Sequence, residues 1–496
     1  MRKSIYSILL FFVAAVSIVS CSDDPVLKRF NGNEIVDEST SDDKKLTYQD
    51  TVNILVDYFA IDVLETYYVW SDEPGMKEQI ENYLNPDTCD HPQQTILLAR
   101  HKDDRWTQLI PNLSEELESL QGVETTLGMH TTPYLLGNSE KVFIVVNAVY
   151  DNSPASDANI KRGDIFTKMN GKTLTKFNYQ KFYDISTSVQ LEFGVITEDN
   201  YLESSGNTVE LTPIKMYEDP VVATNVFDID GKKVGYLAYM SFTQDTTSLF
   251  SACNEFKQAG ISELILDLRY NGGGLVSTLN AFASILAPEN VVANEEIFER
   301  SIYNKILSEI FKDDVEKFQP KYLPNNLNLK KIYALVTKYT ASASESLLVG
   351  LKPFMDIEII GQQTHGKYCT GNFLKPENVY KKEYYNKYKK YYGDWGIYVM
   401  INTFGDKDGR NDSRPNGFIP DYEVKDDQFD GYQLGDINET MLSKALELAG
   451  MKYPNEAKTR SFVELPYKEI YVERPTYNIK MNLKPINKLQ NSKNRL

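Results

Sequence analysis

The chain has 496 residues, which exceeds what one hydrophobic core usually organises, so two or three domains are expected. Apolar residues make up 42% of it and charged residues 25%, values that are typical of folded proteins rather than disordered or fibrous chains. The formal charge of −17 repels polyanions and argues against nucleic acid as the main partner.

The first residues have the layout of a secretory signal. Arg2 and Lys3 precede an apolar stretch over residues 5–19, which is short for a membrane span and is followed by S-D-D-P without a stop-transfer pattern. The tetrapeptide I-V-S-C that ends at Cys21 resembles the lipobox of bacterial lipoproteins, which implies that Cys21 is lipidated. By the same resemblance, S-D-D after Cys21 implies export to the outer membrane, facing the periplasm or the cell surface. An ordinary signal peptide with a chance cysteine is the alternative.

The cysteines and histidines indicate neither a disulfide framework nor a metal site. After Cys21 three cysteines remain, an odd number that cannot all pair within one chain. They do not form a C-x-x-C zinc pattern, and the four histidines are scattered. We therefore expect no metal and no cofactor. The residues in question are Cys89, Cys253, Cys369, His91, His101, His130 and His365.

Residue patterns divide the rest of the chain into segments. Residues 22–45 are polar and acidic, which predicts a flexible tether. Residues 46–118 carry apolar residues at helical spacing and predict a small helical N-terminal domain. Residues 119–217 consist of short β-rich runs separated by turns, and residues 218–455 alternate strand-like with helical runs. The predicted fold class is therefore multidomain α/β.

Two late segments have an unusual composition. Residues 380–392, Y-K-K-E-Y-Y-N-K-Y-K-K-Y-Y, form an amphipathic insert, a nucleic-acid-like patch or, as we favour, a solvated edge whose tyrosines pack on the domain. The tail over residues 456–496 has nine Lys or Arg and four Asp or Glu inside an acidic chain. It either packs on the acidic body or stays loose.

Three motifs of the α/β segment carry chemistry, and the first is L-I-L-D-L-R-Y-N-G-G-G. Asp267 and Arg269 follow an apolar strand, and the glycines at 272–274 open a loop. Adjacent glycines let backbone N–H groups approach a ligand, as an oxyanion site requires. A tight turn is the commoner use of such a run, so this motif alone is weak evidence.

The second motif, K-Y-T-A-S-A-S-E-S-L-L-V-G, is a turn and a helix that begins near Ser342. A serine there lies beside unpaired N–H donors and the positive end of the helix dipole, which suits a nucleophile. It also suits a structural cap, because Ser342 and Glu345 satisfy the S-x-x-E capping box. Taken alone, the motif favours the cap.

The third motif, I-E-I-I-G-Q-Q-T-H-G-K-Y, is a strand that runs into a loop ending at Lys367. Its G-x-x-x-x-G-K-Y string nearly matches a phosphate-binding P-loop, but Tyr368 replaces the Ser or Thr that ligates magnesium. A poor helix follows, so we reject nucleotide binding. His365 in the same loop is an alternative general base for Ser342.

Together the motifs resemble the carboxyl-terminal processing, or tail-specific, serine peptidases. That family has a D-L-R strand leading to N-P-G-G, then A-S-A-S-E with the first serine nucleophilic, then T-x-G-K with the lysine 25 positions later. Here Lys367 stands 25 positions after Ser342, and Glu345 and Thr364 stand at the family spacing. G-F-I-P-D-Y-E-V and L-G-D-I-N-E also resemble C-terminal segments of the family. The resemblance covers about residues 50–450.

The resemblance implies a ClpP/crotonase-like α/β peptidase domain over residues 218–455, in which Ser342 attacks a peptide carbonyl and Lys367 takes its proton. It also implies an oxyanion hole made by the backbone N–H groups of Gly273, Gly274 and Ala343. A lysine is a base only when neutral, so its surroundings must lower its pKa by roughly 3 units from about 10.4.

Two departures from the family pattern bear on activity. The proline of N-P-G-G is replaced by Gly272. In the family a glutamine four positions after the lysine often orients it, whereas Gly371 stands there in this chain. The orienting role then falls to Asn372 or to no residue. In the second case the protein is a weak or inactive member that only binds peptides.

The β-rich segment over residues 119–217 contains S-P-A-S-D-A-N-I-K-R-G-D-I-F-T-K-M-N-G, which resembles the PDZ signature of the family. Leu127, Gly128 and Met129 resemble a carboxylate-binding loop, which implies that an extended peptide is captured at a sheet edge by its C-terminus. A packing module with an empty groove is the alternative.

The expected function is an exported serine endopeptidase that cleaves proteins or peptides near their C-termini. Its expected partners are these substrates and, through Cys21, a membrane. The alternatives are a non-catalytic, peptide-binding lipoprotein and an esterase that uses Ser342 with His365.

Overall fold

The computed structural model describes residues 46–84, 91–119, 122–197, 201–312, 314–452, 467–470 and 480–481. The predicted signal, the predicted lipidation site at Cys21 and the predicted tether therefore lie outside the described residues. Within the described ranges, no helix is both long and apolar enough to cross a membrane.

The N-terminal region consists of helices and one short strand. The long first helix begins after Thr47, whose side chain accepts a hydrogen bond from Asp50 N while the Asp50 carboxylate accepts one from Thr47 N. This reciprocal capping box satisfies two backbone donors that the helix itself leaves unpaired. The elements are α1 (Tyr48–Tyr67), α2 (Met76–Tyr83), α3 (Pro92–Ala99), β1 (Gln108–Ile110) and α4 (Leu113–Ser119).

The second region is mostly antiparallel β structure. Strands β3, β4, β5, β7 and β8 follow one another across a sheet, β6 pairs with β5, and β2 and β9 form a separate pair. A short 3₁₀ helix covers Tyr179–Phe182. The elements are β2 (Val123–Thr126), β3 (Met129–Leu136), β4 (Val142–Val149), α5 (Pro154–Asp157), β5 (Ile165–Met169), β6 (Lys172–Thr173), β7 (Val189–Ile196), β8 (Leu202–Leu211) and β9 (Ile214–Tyr217).

The third region alternates strands and helices, and a 3₁₀ helix covers Pro320–Asn325. Its elements are β10 (Val221–Ile229), β11 (Lys232–Tyr239), α6 (Thr247–Ala259), β12 (Glu263–Asp267), β13 (Gly274–Leu275), α7 (Val276–Leu286), α8 (Glu289–Ala293), β14 (Ile297–Tyr303), α9 (Lys305–Ile310), β15 (Val315–Lys317), β16 (Lys331–Val336), α10 (Ala343–Leu351), β17 (Asp356–Gly361), β18 (Cys369–Leu374), α11 (Pro376–Val379), α12 (Lys382–Tyr392), β19 (Gly396–Gly405), β20 (Tyr422–Glu423) and α13 (Thr440–Leu448).

A central sheet with strand order β10-β11-β12-β16-β17-β20 organises this region. All pairs from β11 to β20 are parallel. Leu264 and Leu266 of β12 pack into a core with α6, α7 and α10, whereas Ile265 packs into a second core with α13. A strand that is covered on both faces needs a continuous apolar run, as its sequence has. The prediction of a multidomain α/β fold is confirmed.

A second sheet joins the N-terminal helices to the α/β region. Strand β1 pairs with β19, and α1 packs against α12. The tyrosines Tyr384, Tyr388 and Tyr392 of α12 are buried, and the Tyr392 ring lies 6.4 Å from Phe59 of α1. The Lys–Tyr run is thus an amphipathic helix whose tyrosines pack on the body and whose lysines are exposed.

Two described pieces of the C-terminal tail are paired with the body. Strand β21 (Tyr467–Glu469) pairs antiparallel with β3 of the β-rich sheet. Strand β22 (Lys480–Met481) lies between β13 and β18 and is parallel to both. Strand β21 thus adds an edge strand to the β-rich sheet, and β22 adds an inner strand to the sheet that contains β18 and β19.

Candidate active site

The turn between β16 and α10 holds Ser342 in an unusual conformation. Its φ is 63° and its ψ is −113°, outside the regions that most L-residues adopt. The other described non-glycine residues with positive φ are Asn, Asp or Glu. Such strain costs on the order of 1–3 kcal/mol and is concentrated at functional sites. A structural cap does not need it.

The Ser342 side chain is fully buried, and its Oγ has no hydrogen-bond partner within the described part of the chain. Ser342 and Glu345 do occupy capping-box positions, and Ser342 N donates to Glu345 Oε2 at 3.0 Å. The backbone of the serine is therefore fixed while its hydroxyl stays available. This arrangement favours a nucleophile over a cap.

Glu345 ties the serine turn to the lysine loop. Its buried carboxylate accepts hydrogen bonds from Thr364 Oγ1 at 2.6 Å, Gly366 N at 2.7 Å and Lys367 N at 2.8 Å, besides that from Ser342. Burial raises the pKa of the Glu345 carboxyl above its usual value, against the opposing effect of these four donors. Two predicted supporting residues, Glu345 and Thr364, thus hold the two predicted catalytic segments together.

Lys367 lies in a pocket of aromatic side chains. The lysine is fully buried, and its Nζ donates a hydrogen bond to the Tyr398 hydroxyl at 3.1 Å. The same Nζ lies 5.3 Å from the centre of the Trp106 ring and 5.0 Å from that of Tyr398. Tyr398 comes from β19 and Trp106 from the residues just before β1, which pairs with β19. The N-terminal region therefore builds one wall of the pocket.

The position of Gly371 explains why Tyr398 reaches the lysine. A Cβ at Gly371 would lie 2.4 Å from a ring carbon of Tyr398 and 2.5 Å from the Met400 methyl group. A side chain at this position and the Tyr398 ring therefore exclude each other. Asn372, which we proposed as an orienting residue, is buried, and its Oδ1 has no hydrogen-bond partner among the described residues.

His365 is close to the lysine but poorly suited to general-base catalysis. Burial, with Arg105 and Lys367 nearby, lowers its pKa to about 3. An imidazole with that pKa is neutral at pH 7, but it accepts a proton too weakly to drive proton transfer. Its backbone N–H donates to Thr340 O at 3.0 Å, just ahead of the serine turn.

The glycine loop lies against the serine turn through Asn271. The backbone carbonyl of Asn271 accepts hydrogen bonds from Ala341 N at 3.1 Å and from Ser344 Oγ at 3.0 Å. Its side chain accepts one from Gly273 N at 2.9 Å, so that N–H group is already used. Gly274 has φ of 139°, and a Cβ there would lie 2.3 Å from Phe242 O, so no other residue fits.

Arg269 follows the strand that leads into the glycine loop, and it lies in a buried cluster of charges. Its guanidinium bonds Asp267 Oδ2 at 2.7 Å, Asp426 Oδ1 at 2.9 Å and Glu439 Oε1 at 2.6 Å. Arg162 of the β-rich region bonds the same Asp426 oxygen at 2.7 Å. The cluster therefore connects the β-rich region to the base of the glycine loop.

The predicted carboxylate-binding loop is folded as a tight connection between β2 and β3. Gly128 has φ of 78°, and its N–H donates to Thr126 Oγ1 at 2.9 Å. The carbonyls of Gly128 and Leu127 accept hydrogen bonds from Tyr150 N and Ala155 N. Leu127 and Met129 belong to the core of the β-rich region, so their side chains form the floor under this loop.

Residues 233–424 match Peptidase family S41. This region of the chain is therefore similar to that family. It is 26% identical over 309 residues to the chloroplastic C-terminal processing peptidase of Tetradesmus obliquus, covering 58% of this chain and 62% of the relative. It is 25% identical over 228 residues to the carboxy-terminal processing protease CtpA of Bacillus subtilis, covering 45% of this chain and 44% of the relative. The chain thus spans less than two thirds of the length of either relative.

A crystal structure of a candidate S41 protease from Bacteroides fragilis resembles the chain over most of its length. The TM-score is 0.62 at 23% sequence identity, and the match covers 83% of this chain and 99% of the other. At this identity the likeness establishes the S41 fold alone. It extends beyond residues 233–424, so the regions around the α/β core also follow that fold.

Sequence reasoning missed the surroundings of the lysine. No motif pointed to Trp106 or Tyr398, because both reach Lys367 from distant parts of the chain. Glu439 lies in the L-G-D-I-N-E segment, which carried a family signal, but nothing in that string indicated an arginine partner. The predicted lipidation site at Cys21 lies outside the described residues.

Proposed function

We propose that this chain is a serine endopeptidase of the S41 family, with Ser342 as nucleophile and Lys367 as general base. The observation that carries the proposal is the buried, strained Ser342 with an unpartnered Oγ, tied through the Glu345 carboxylate to the loop that bears Lys367. Convergence of a serine, a buried amine and a glycine loop is the arrangement that acyl transfer requires.

In this mechanism Ser342 Oγ attacks the scissile carbonyl carbon while its proton passes to the neutral Lys367 amine. The N–H groups of Gly274 and Ala343 stabilise the oxyanion, since Gly273 N–H already donates to Asn271. The lysine then returns the proton to the leaving amine, which gives an acyl-enzyme. A water, deprotonated by the same lysine, hydrolyses that ester and restores the serine.

Tyr398 acts in this proposal as the residue that positions the lysine. Its hydroxyl accepts the hydrogen bond from Lys367 Nζ, and its ring takes the space that a side chain at position 371 would need. The glutamine expected four positions after the lysine is therefore replaced by a tyrosine from a neighbouring strand. Absence of that glutamine then no longer argues for an inactive protein.

Substrates in this proposal are proteins or peptides that enter as extended chains, as the names of the C-terminal processing relatives suggest. The β-rich region serves as a PDZ-like module that receives the peptide at an edge of its sheet near Gly128. Export with a lipid anchor at Cys21 completes the proposal and rests on the N-terminal sequence alone.

The test uses the chain from Ser22 onward, an unfolded protein substrate, and the variants Ser342→Ala, Lys367→Ala and His365→Ala. Ser251→Ala, on the exposed face of α6, is the matched control. We expect cleavage by the parent, the His365 variant and the control, with loss in the Ser342 and Lys367 variants at unchanged melting temperature. Cleavage that survives either of the last two substitutions would refute the dyad. A parent that binds peptides without cleaving them would favour the peptide-binding alternative.

A further inference from the structure

The C-terminal tail returns to the body at the two places where the proposed function expects a peptide. Strand β21 extends the β-rich sheet at the free side of β3. Strand β22 fills the space between β13 and β18, which carry Gly274 and Gly371. Residues 467–470 of the tail thus lie at the candidate peptide edge, and residues 480–481 lie at the candidate active site.

At the first place the tail runs in the direction of a bound peptide. Tyr467 lies opposite Leu136, and Ile470 N donates to Pro133 O at 2.9 Å, so the tail advances toward the start of β3. The predicted carboxylate-binding loop around Gly128 lies just ahead of that start. A peptide added to this edge with its C-terminus toward the loop would have the same orientation.

Side chains of β21 contact both the β-rich sheet and the serine turn. The Tyr467 ring packs on Tyr134, with ring centres 5.1 Å apart. The Glu469 carboxylate pairs with Lys338 Nζ at 2.8 Å and accepts a hydrogen bond from the Tyr339 hydroxyl. Lys338 and Tyr339 lie on the turn that leads to Ser342. The tail therefore bridges the two regions that a substrate is expected to bridge.

At the second place the tail backbone crosses the candidate active site. Lys480 lies opposite Gly274, and Met481 lies opposite both Leu275 and Gly371. Gly274 is a proposed oxyanion donor, and Gly371 lies on the strand that follows Lys367. An extended peptide between these two strands therefore passes beside a proposed oxyanion donor.

We propose that the two described tail pieces act as intramolecular peptide ligands, residues 467–470 at the sheet edge and residues 480–481 in the active-site cleft, so that a substrate must displace them. The inference rests on the proposed function for the meaning of the cleft. It also specifies the ligand: an extended segment with an aromatic side chain against Tyr134 and, two residues later, a carboxylate against Lys338. Because the ion pair is partly exposed, it contributes little, and displacement is feasible.

A full-length release variant tests this inference. The release variant carries two substitutions, Glu469→Lys and Ile470→Pro. The first places like charges at Lys338, and the second removes the N–H group that donates to Pro133. If the tail blocks the site about nine-tenths of the time, its release raises kcat/KM on an unfolded protein about tenfold, mainly through KM. Glu203→Lys, an equal charge change on the exposed face of β8, is the control and leaves kcat/KM unchanged.

A second measurement needs no catalysis and separates this inference from the proposed function. A fluorescent peptide with the sequence of residues 467–481 is titrated into the release variant and into the parent chain, both with Ser342→Ala. We expect saturable binding to the release variant, weaker binding to the parent, and no binding of a scrambled peptide. Equal binding to both chains, together with an unchanged kcat/KM, would overturn the inference. Binding without cleavage by any chain would leave it standing while the proposed function failed.

Discussion

Two buried basic side chains of this protein, Arg269 and Lys367, have different surroundings. Arg269 bonds three carboxylates within 3.0 Å. The contacts of Lys367 Nζ include a phenolic hydroxyl and two aromatic faces. Arg269 follows β12 and Lys367 follows β17, two strands of the parallel sheet whose C-terminal ends lie at the same edge. Both side chains are buried, so they differ in their neighbours and not in their burial.

Under the proposed function, Arg269 is a structural cation and Lys367 is the catalytic base. A guanidinium stays protonated in any protein environment, so three carboxylates around it give a permanent ion cluster. Burial favours the neutral form of an amine, and only the neutral form is a base. The aromatic pocket suits that role, whereas the carboxylate cluster suits the positioning of the glycine loop.

The largest effect is expected at the lysine. Lys367→Met replaces the amine with an apolar side chain of similar length in an aromatic pocket, so the fold keeps its stability. Activity on an unfolded protein falls at least about a thousandfold, because the serine loses its base. The kcat and the melting temperature are measured together. A large loss of stability would mean that the lysine is structural, and the comparison with Arg269 would fail.

Arg269→Met is expected to do the reverse. Its removal leaves Asp267, Asp426 and Glu439 buried with too little positive charge, which destabilises the fold by about 3–5 kcal/mol. The free energy of unfolding is obtained from a denaturant titration. A loss below about 1 kcal/mol would show that the cluster contributes nothing as an ion network.

The same cluster predicts an acid transition. Burial alone would raise the pKa of Asp426, but Arg162 and Arg269 lower it from its usual 3.8 to about 2. Because the folded-state pKa is depressed, the stabilisation is complete above about pH 4 and is lost as the pH falls toward 2. We expect the parent to lose about 2 kcal/mol more than Asp426→Asn over that window. Parallel losses in both proteins would contradict the assignment.

The smallest effect concerns Tyr398. Tyr398→Phe removes the hydroxyl that accepts from Lys367 and lowers kcat about fivefold with KM unchanged, because a neutral hydrogen bond contributes about 1 kcal/mol. Combining Tyr398→Ala with Gly371→Gln frees the space at position 371 for the glutamine of the family pattern. Partial recovery of kcat in the double variant relative to Tyr398→Ala supports positioning; recovery of stability alone does not.

The sequence predicted the elements that depend on local pattern. The apolar run of β12, the capping box before α10 and the spacing of Ser342 and Lys367 are properties of short segments, and the structure places them in one α/β region. The strained φ of Ser342 was not predictable, since a capping box normally places its first residue in extended backbone.

Contacts between segments that are distant in the chain could not be predicted from local sequence patterns. Tyr398 reaches Lys367 across a strand pair, and Trp106 reaches it from the N-terminal region, so neither had a local signal. The basic composition of the tail does not distinguish a segment that packs on the body from a loose one, because composition does not encode pairing with β3. Residue composition gives the charge of such a segment, whereas pairing depends on which sheet edges the fold leaves open.

The most direct test of the Ser342–Lys367 assignment is covalent capture of the nucleophile. The release variant is treated with a fluorophosphonate, which reacts with activated serines, and the labelled residue is located by peptide mass spectrometry. The account predicts one adduct, on Ser342, whose rate of formation falls at least about a hundredfold in the Lys367→Met form and stays unchanged in the Lys352→Met control. Labelling at another residue, or an equal rate without Lys367, would contradict it.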